Sequence, residues 1–263
     1  MTGEFHEINA ARLYCLTEGA GVPVVLLHGF GLDQRMWADQ TTALARRFRA
    51  IQYDMRGYGR SSVPTTEPYS HADDLRGLLS RLGAGPAHVV GLSNGGRQAL
   101  RFALAHPAEV LSLTLVSSAL DGHIWSPEWQ ALWAAIDSRA KSGDVAEAKR
   151  LWLEHPLFAA ARSRPAVAAR LSAMVHEYSG WHWVHADPGV VAGAPAIERL
   201  GEIRVRTLIV EGERDLPDFR TVANTLAAGI AGASRVLANG VGHMANMEAP
   251  DKFNRDLLDF LLS

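Results

Sequence analysis

Short apolar runs alternate with longer amphipathic stretches along most of the chain. The apolar runs occupy residues 22–28, 50–54, 87–90, 110–116, 205–210 and 234–237. Near-continuous apolar runs of this length are typical of parallel strands that are buried on both faces. The stretches between them have helical length and spacing at residues 37–47, 70–82, 94–106, 218–230 and 250–262. This alternation predicts an α/β fold in which helices flank a mostly parallel central sheet, with the carboxyl ends of the strands along one edge.

One long segment interrupts the alternation. Between residues 122 and 195 the sequence contains no convincing strand, and six of the seven tryptophans lie there: Trp125, Trp129, Trp133, Trp152, Trp181 and Trp183. The first three recur at every fourth residue, which places their indoles along one helical face. We therefore predict a core domain formed by residues 1–121 and 196–263. Residues 122–195 would form a helical cap, lying over the strand ends and inserted after the strand at residues 110–116, which we count as the sixth strand of the sheet.

Composition excludes several classes of partner. The chain has 263 residues, of which 48% are hydrophobic, and a formal net charge of −2. Such values offer no attraction to nucleic acid or to an anionic membrane, so we expect neither as a partner. The single cysteine, Cys15, excludes an intramolecular disulfide. The first residues lack the basic and apolar regions of a signal peptide, so we expect a cytoplasmic protein. A monomer and a homo-oligomer both remain open.

Candidate chemistry begins with a serine between a predicted strand and a predicted helix. Ser93 lies in Gly91-Leu92-Ser93-Asn94-Gly95-Gly96, directly after the apolar run 87–90. A Gly-x-Ser-x-Gly sequence in this position is the signature of a nucleophile elbow, a turn too tight for large side chains beside the serine. It would hold the Ser93 hydroxyl at the start of a helix, where negative charge is favoured. We predict that Ser93 is a nucleophile.

A serine hydroxyl needs a general base, and that base needs a carboxylate. His243 follows the last short strand, in Gly242-His243-Met244, and is the candidate base. Asp215 follows the strand at residues 205–210 and is the candidate acid. The order Ser, acid, His holds equally for Asp121, which follows the sixth strand, so Asp121 remains an alternative. Both loops belong to the same sheet edge as the serine.

An oxyanion would need two backbone N–H donors beside the serine. We assign one to Asn94, the residue after the nucleophile. We assign the other to Phe30, in the His-Gly-Phe-Gly loop at residues 28–31, because Gly29 lets the backbone approach a substrate. Asp54 and Arg56 also follow a strand, and we interpret them as an ion pair that fixes a turn rather than as functional groups.

Together these motifs resemble the α/β-hydrolase superfamily, from about residue 5 to the C-terminus. The resemblance rests on the loop at residues 28–31, the Asp-Met-Arg-Gly-Tyr-Gly-Arg-Ser segment at 54–61, the Ser93 elbow, Gly-Glu-Arg-Asp at 212–215, and Gly242-His243. Within that superfamily the layout is most similar to small capped hydrolases: 3-oxoadipate enol-lactonases, carboxylesterases and the C–C hydrolases of meta-cleavage pathways. Haloalkane dehalogenases and epoxide hydrolases share the layout, but that resemblance implies an aspartate nucleophile, which Ser93 contradicts.

The chemistry therefore predicts a serine hydrolase that cleaves a small or medium, largely apolar ester or lactone. Alternatives are hydrolysis of a C–C bond with the same triad, and a ligand-binding protein on a hydrolase scaffold. No motif for a metal or a cofactor is present, so we expect neither. We expect five side chains to contact a small-molecule substrate: Phe30, Leu120, Trp125, Trp129 and Met244.

Overall fold

A computed structural model describes residues 3–263. Eight strands form one sheet: β1 (Glu4–Ile8), β2 (Ala11–Glu18), β3 (Pro23–Leu27), β4 (Arg49–Tyr53), β5 (Ala87–Leu92), β6 (Val110–Val116), β7 (Arg206–Gly212) and β8 (Ser234–Ala238). Their spatial order is β1-β2-β4-β3-β5-β6-β7-β8. β2 pairs antiparallel with both β1 and β4, and every other pairing is parallel. The predicted α/β-hydrolase fold with a mostly parallel sheet is confirmed.

Helices cover both faces of this sheet. The longer ones around it are α1 (Ala38–Leu44), α2 (His71–Arg81), α3 (Asn94–Ala105), α10 (Pro217–Gly229) and α12 (Pro250–Leu262). Strands β3 and β5 are buried along almost their whole length, as the continuous apolar runs predict. Because β3 lies between β4 and β5, the chain leaves β3 and β5 at neighbouring points of the same sheet edge. A crevice at such a point is the usual ligand site of an open α/β sheet.

The chain between β6 and β7 is helical, as its lack of a strand pattern predicts. It forms α4 (Pro127–Lys141), α5 (Val145–Glu154), α6 (Ala159–Arg162), α7 (Pro165–Glu177), α8 (Trp181–Val184) and α9 (Ala196–Arg199). The remaining α-helix is α11 (Ala245–Glu248). Four short 3₁₀ helices also occur, at Gln34–Trp37, Pro107–Glu109, Pro156–Phe158 and Leu200–Glu202. No helix within residues 3–263 has both the length and the apolar character needed to cross a membrane.

Polar contacts join these helices to the rest of the molecule. Arg170 on α7 pairs with Asp39 on α1 at 2.6 Å. The N–H of Val190 donates to the carbonyl oxygen of Tyr69 at 2.8 Å, just before α2. Such contacts join the helical segment to α1 and to the chain just before α2.

The expected pairing of Asp54 with Arg56 is wrong. Asp54 accepts the backbone N–H groups of Gln34 and Arg60, each at 2.8 Å. Arg56 instead forms two hydrogen bonds of 2.8 Å with Asp74 on α2. Both side chains are buried. The two residues thus hold loops together, as expected. They do so through residues that are distant from them in sequence rather than through each other.

Candidate active site

The turn between β5 and α3 has the geometry of a nucleophile elbow. β5 ends at Leu92, α3 begins at Asn94, and Ser93 between them has φ 56° and ψ −116°. This conformation is uncommon for a residue with a side chain and costs of the order of 1–3 kcal/mol. Hydrogen bonds on both sides hold it: the Ser93 N–H donates to Val116, and the Ser93 carbonyl accepts from Ala119. The strain leaves the Ser93 hydroxyl facing a cavity rather than the core.

Glycines are required on both sides of this turn. A Cβ atom on Gly91 would overlap the carbonyl oxygen of Gly95. A Cβ atom on Gly95 would in turn overlap the carbonyl oxygen of Leu27 at the end of β3. Both obstacles are backbone atoms that cannot rotate away. The Gly-x-Ser-x-Gly spacing is therefore explained by the close approach of β3, β5 and α3.

His243 and Asp215 form a buried hydrogen-bonded pair. Nδ1 of His243 lies 3.0 and 3.1 Å from the two carboxylate oxygens of Asp215, and both side chains are 1% exposed. A carboxylate only accepts hydrogen bonds, so Nδ1 carries the proton and Nε2 presents a lone pair. Nε2 has no hydrogen-bond partner within residues 3–263. The imidazole packs against the ring of Phe219 at 4.4 Å, and Phe219 lines the same cavity as Ser93.

Glu248 holds the loop that carries His243. Its carboxylate accepts the backbone N–H of Gly242 at 2.8 Å and that of Met244 at 3.1 Å, the residues on either side of His243. Arg164, from the helical segment above, donates to the same carboxylate at 3.0 Å. The Glu248 side chain has no exposed surface. Glu248 could not be predicted as part of the site, because nothing in the sequence around it shows that the chain turns back on the His243 loop.

Asp121, the alternative acid, has a different partner. Its carboxylate forms a bidentate ion pair with Arg101 on α3, at 2.6 and 2.7 Å. The geometry therefore pairs His243 with Asp215, while Asp121 joins the chain after β6 to α3.

The loop after β3 lies directly beside the elbow. A Cβ atom built on Gly29 would lie 3.7 Å from the Cβ of Ser93, in ordinary contact. Phe30 follows Gly29 at the cavity wall. Asn94 is the first residue of α3, so its N–H has no acceptor within the helix. The two predicted oxyanion donors thus belong to segments that meet at Ser93.

Ser93 lies on the wall of a cavity of about 520 Å³, which we call the aromatic chamber. Four tryptophans from the helical segment line it: Trp125, Trp129, Trp133 and Trp152. The rings of Trp125 and Trp129 stack at 4.6 Å and those of Trp129 and Trp133 at 6.2 Å, as their spacing predicts. An apolar, aromatic wall is typical of a small-molecule site.

The chamber includes three of the five side chains that we expected to contact substrate. Phe30, Trp125 and Trp129 line its wall. Leu120 and Met244, which we also expected to contact substrate, are buried in the core instead, at 2% and 0% exposure. Ala119 and Phe219 line the chamber in their place. The chain leaves β6 through a turn at Ser117 with φ 41°, so position in sequence does not tell which neighbour faces the crevice.

A second, more polar cavity of about 810 Å³ adjoins the chamber. Phe30, Asn94 and Arg97 line both cavities. His182 lines the second cavity and stacks on Tyr58 at 4.3 Å. Burial lowers the pKa of His182 to about 4, so this imidazole is neutral near pH 7. Within residues 3–263 no group of three or more metal-ligating side chains is arranged to hold a metal ion.

The fold and the elbow define an α/β-hydrolase. The chain belongs to the alpha/beta hydrolase fold family, whose model matches residues 22–250. It is 29% identical over 264 residues to a 2-hydroxy-6-oxononadienedioate/2-hydroxy-6-oxononatrienedioate hydrolase of Cupriavidus pinatubonensis, covering 95% of this chain and 90% of that protein.

Two solved structures extend the comparison. A thermophilic esterase from Thermogutta terrifontis matches with a TM-score of 0.85 at 25% identity, over 99% of this chain and 98% of the esterase. An enol-lactonase from Burkholderia xenovorans LB400 matches with a TM-score of 0.83 at 26% identity, over 99% and 100% of the two chains. The protein is therefore a hydrolase of the α/β fold, and its relatives act on several kinds of substrate.

Proposed function

We propose that the protein is a cofactor-independent serine hydrolase that cleaves a small or medium carboxylic ester or lactone. This proposal rests on the hydrogen-bonded pair of His243 and Asp215. Phe219, which packs against His243, lines the same cavity as Ser93, a strained residue at a helix N-terminus. The aromatic chamber supports the proposal of a substrate with a largely apolar group next to the scissile carbonyl. The esterase and the enol-lactonase among the structural relatives agree with this bond type.

The first half of the reaction would acylate the serine. The His243 Nε2 lone pair takes the proton of the Ser93 hydroxyl as its oxygen attacks the carbonyl carbon. Asp215 holds the imidazole in the required tautomer and stabilises its positive charge. The N–H groups of Phe30 and Asn94 stabilise the oxyanion, and each such donor is worth roughly 3–4 kcal/mol. His243 then returns its proton to the departing alkoxide, and an acyl-enzyme remains.

The second half would release the acid. His243 takes a proton from a water molecule, which attacks the acyl carbonyl, and the proton is returned to the Ser93 oxygen as the ester bond breaks. No cofactor is needed, because the same groups act in both steps. C–C bond hydrolysis with the same residues is the alternative, in agreement with the relative from Cupriavidus pinatubonensis.

Initial rates test the proposal most simply. Wild-type protein would be assayed on 4-nitrophenyl acetate, butyrate and octanoate and on a set of lactones, with Ser93→Ala as the matched control. We expect turnover that disappears in the variant, with a chain-length preference set by the chamber. A folded wild-type protein that hydrolyses none of these, but does cleave a vinylogous diketone, would replace ester hydrolysis with C–C hydrolysis.

A further inference from the structure

The second cavity contains one arginine whose charge has no close partner. Three arginines line this cavity: Arg97, Arg101 and Arg199. Arg101 is engaged by Asp121, and Arg199 by Glu202 at 2.8 Å. Arg97 approaches Asp121 only to 4.0 Å, the outer limit of an ion pair.

The other carboxylates of this cavity form no ion pair with Arg97, although Asp187 favours its positive charge from a longer distance. Asp73 lies 3.0 Å from Nε2 of His106, and Asp187 accepts the backbone N–H of Gly189 at 2.9 Å. Arg97 has an unused hydrogen-bond donor. One Nη atom donates to Asn94 Oδ1, while Nε has no partner within residues 3–263. Burial and the nearby Arg101 lower the pKa of Arg97 although Asp121 opposes them, as expected for a cation with too little compensation.

The position of Arg97 places this cation next to the reaction centre. Arg97 lies one helical turn after Ser93, and its N–H donates to the Ser93 carbonyl at 3.0 Å. Ser93 precedes the helix and has non-helical backbone angles, so the closeness of the two residues is shown by the cavity that both of them line. Side chains of a helix also lean toward its N-terminus, which here is the elbow. The Arg97 side chain is 36% exposed and lines both the chamber of Ser93 and the polar cavity.

We propose that Arg97 is a specificity-determining residue that binds a carboxylate of the substrate, so that the preferred ester or lactone carries an anionic group a few carbon atoms from the scissile carbonyl. This inference rests on the proposed function and names its substrate class. A guanidinium binds a carboxylate through charge-assisted hydrogen bonds, which are stronger than hydrogen bonds between neutral groups. The apolar part of the substrate lies among the tryptophans, and its carboxylate faces the polar cavity.

A pair of matched esters tests this assignment. Mono-4-nitrophenyl glutarate carries a carboxylate three methylenes from the ester, and 4-nitrophenyl 4-carbamoylbutanoate has the same shape without the charge. After subtraction of spontaneous hydrolysis, we expect kcat/KM of the wild type to favour the charged ester by roughly 10- to 100-fold. Arg97→Gln should bring this ratio close to one, and Arg97→Lys should keep part of it.

The control variant is Arg199→Gln, which removes a cation that lines the same cavity but already has a partner. It should leave the ratio of the two esters unchanged. A wild-type ratio near one would overturn the assignment. An Arg97→Gln variant that loses activity equally on both esters would also overturn it, because Arg97 would then act only by positioning Asn94.

A binding measurement separates this inference from the proposed function. Glutarate is titrated calorimetrically into wild type and Arg97→Gln, with no turnover required. We expect at least about tenfold weaker binding in the variant, even if neither ester is hydrolysed in a Ser93-dependent way. Equal glutarate affinity, or none in the wild type, would reject the anion site whatever the outcome for ester hydrolysis.

Discussion

The polar side chains of His243, Asp215 and Asp121 belong to two separate hydrogen-bond networks. Asp215 is buried and bonded to Nδ1 of His243, which leaves Nε2 as a lone pair. Asp121 is bonded to Arg101 and lies in a different contact network. The two aspartates follow neighbouring strands but have different hydrogen-bond partners. Because of this difference, substitution of each aspartate can test its role separately.

The first prediction concerns these two aspartates. Asp215→Asn should lower kcat for ester hydrolysis roughly 10³- to 10⁴-fold, because an amide cannot hold His243 in the required tautomer or stabilise its cation. Asp121→Asn is the matched control and should keep activity within about threefold of wild type, since it weakens contacts with Arg101 and Arg97 but leaves the Asp215–His243 pair intact. Steady-state kinetics on one ester measures both. Loss of turnover in the Asp121 variant alone would reassign the acid.

At the residue scale the positions of the candidate site residues were largely predictable, and the exceptions have a common cause. The motif around Ser93 and the loop positions of Asp215 and His243 led directly to the geometry observed. Leu120 and Met244 were expected to contact substrate but are core residues. Which side of a turn faces a crevice depends on backbone angles that the sequence pattern does not give.

Among the elements, the loop between β8 and α11 is held by one buried carboxylate. Glu248, the last residue of α11, accepts the N–H groups on both sides of His243 and also pairs with Arg164. The loop, the helix and the helical segment above are therefore joined through one carboxylate. Strands β3 to β8 were predicted to within a few residues, but β1 was missed because its residues are mostly exposed and lack an apolar run.

This contact yields a prediction for a positioning residue. Glu248→Gln removes the carboxylate charge and turns one acceptor into a donor that faces a backbone N–H. We expect kcat to fall about tenfold or more while KM changes less than about threefold, because His243 is displaced and the substrate chamber is not. Glu202→Gln, which alters an exposed ion pair, is the control. A change in KM with kcat preserved would contradict this role.

At the scale of the whole molecule, buried histidines link folding to pH. Burial lowers the pKa values of His28, His155 and His182 to about 4. His28 shows why: its Nε2 accepts the Met55 N–H at 3.0 Å, while Nδ1 lies 2.9 Å from the Gly29 carbonyl oxygen, the arrangement of a neutral imidazole. Asp54 acts in the opposite sense, because burial raises its pKa to about 7.

The sign of the pH dependence follows from proton uptake. Unfolded histidines titrate near 6.5, so below that pH the unfolded state binds protons that the folded state does not, down to about pH 4. The free energy of unfolding should therefore fall between pH 6.5 and 4.5, with each such histidine contributing at most about 1.4 kcal/mol per pH unit. The Asp54 carboxyl offsets part of this decrease.

Urea unfolding at a series of pH values measures the effect. His28→Gln should show a shallower decline than wild type by up to about 1.4 kcal/mol per pH unit, even though it is less stable at pH 7. A free energy of unfolding that is constant or rises toward pH 4.5 in the wild type would contradict the neutral, buried state of these imidazoles.

The most direct test of the central claim is covalent labelling of the nucleophile. The protein would be treated with an ester-like fluorophosphonate, digested, and mapped by mass spectrometry, with Ser93→Ala in parallel. We expect one adduct, on the peptide that contains Ser93, absent from the Ser93→Ala variant and formed far more slowly in Asp215→Asn. An adduct on another residue, or a folded wild-type protein that forms none, would contradict the assignment of Ser93 as an activated nucleophile.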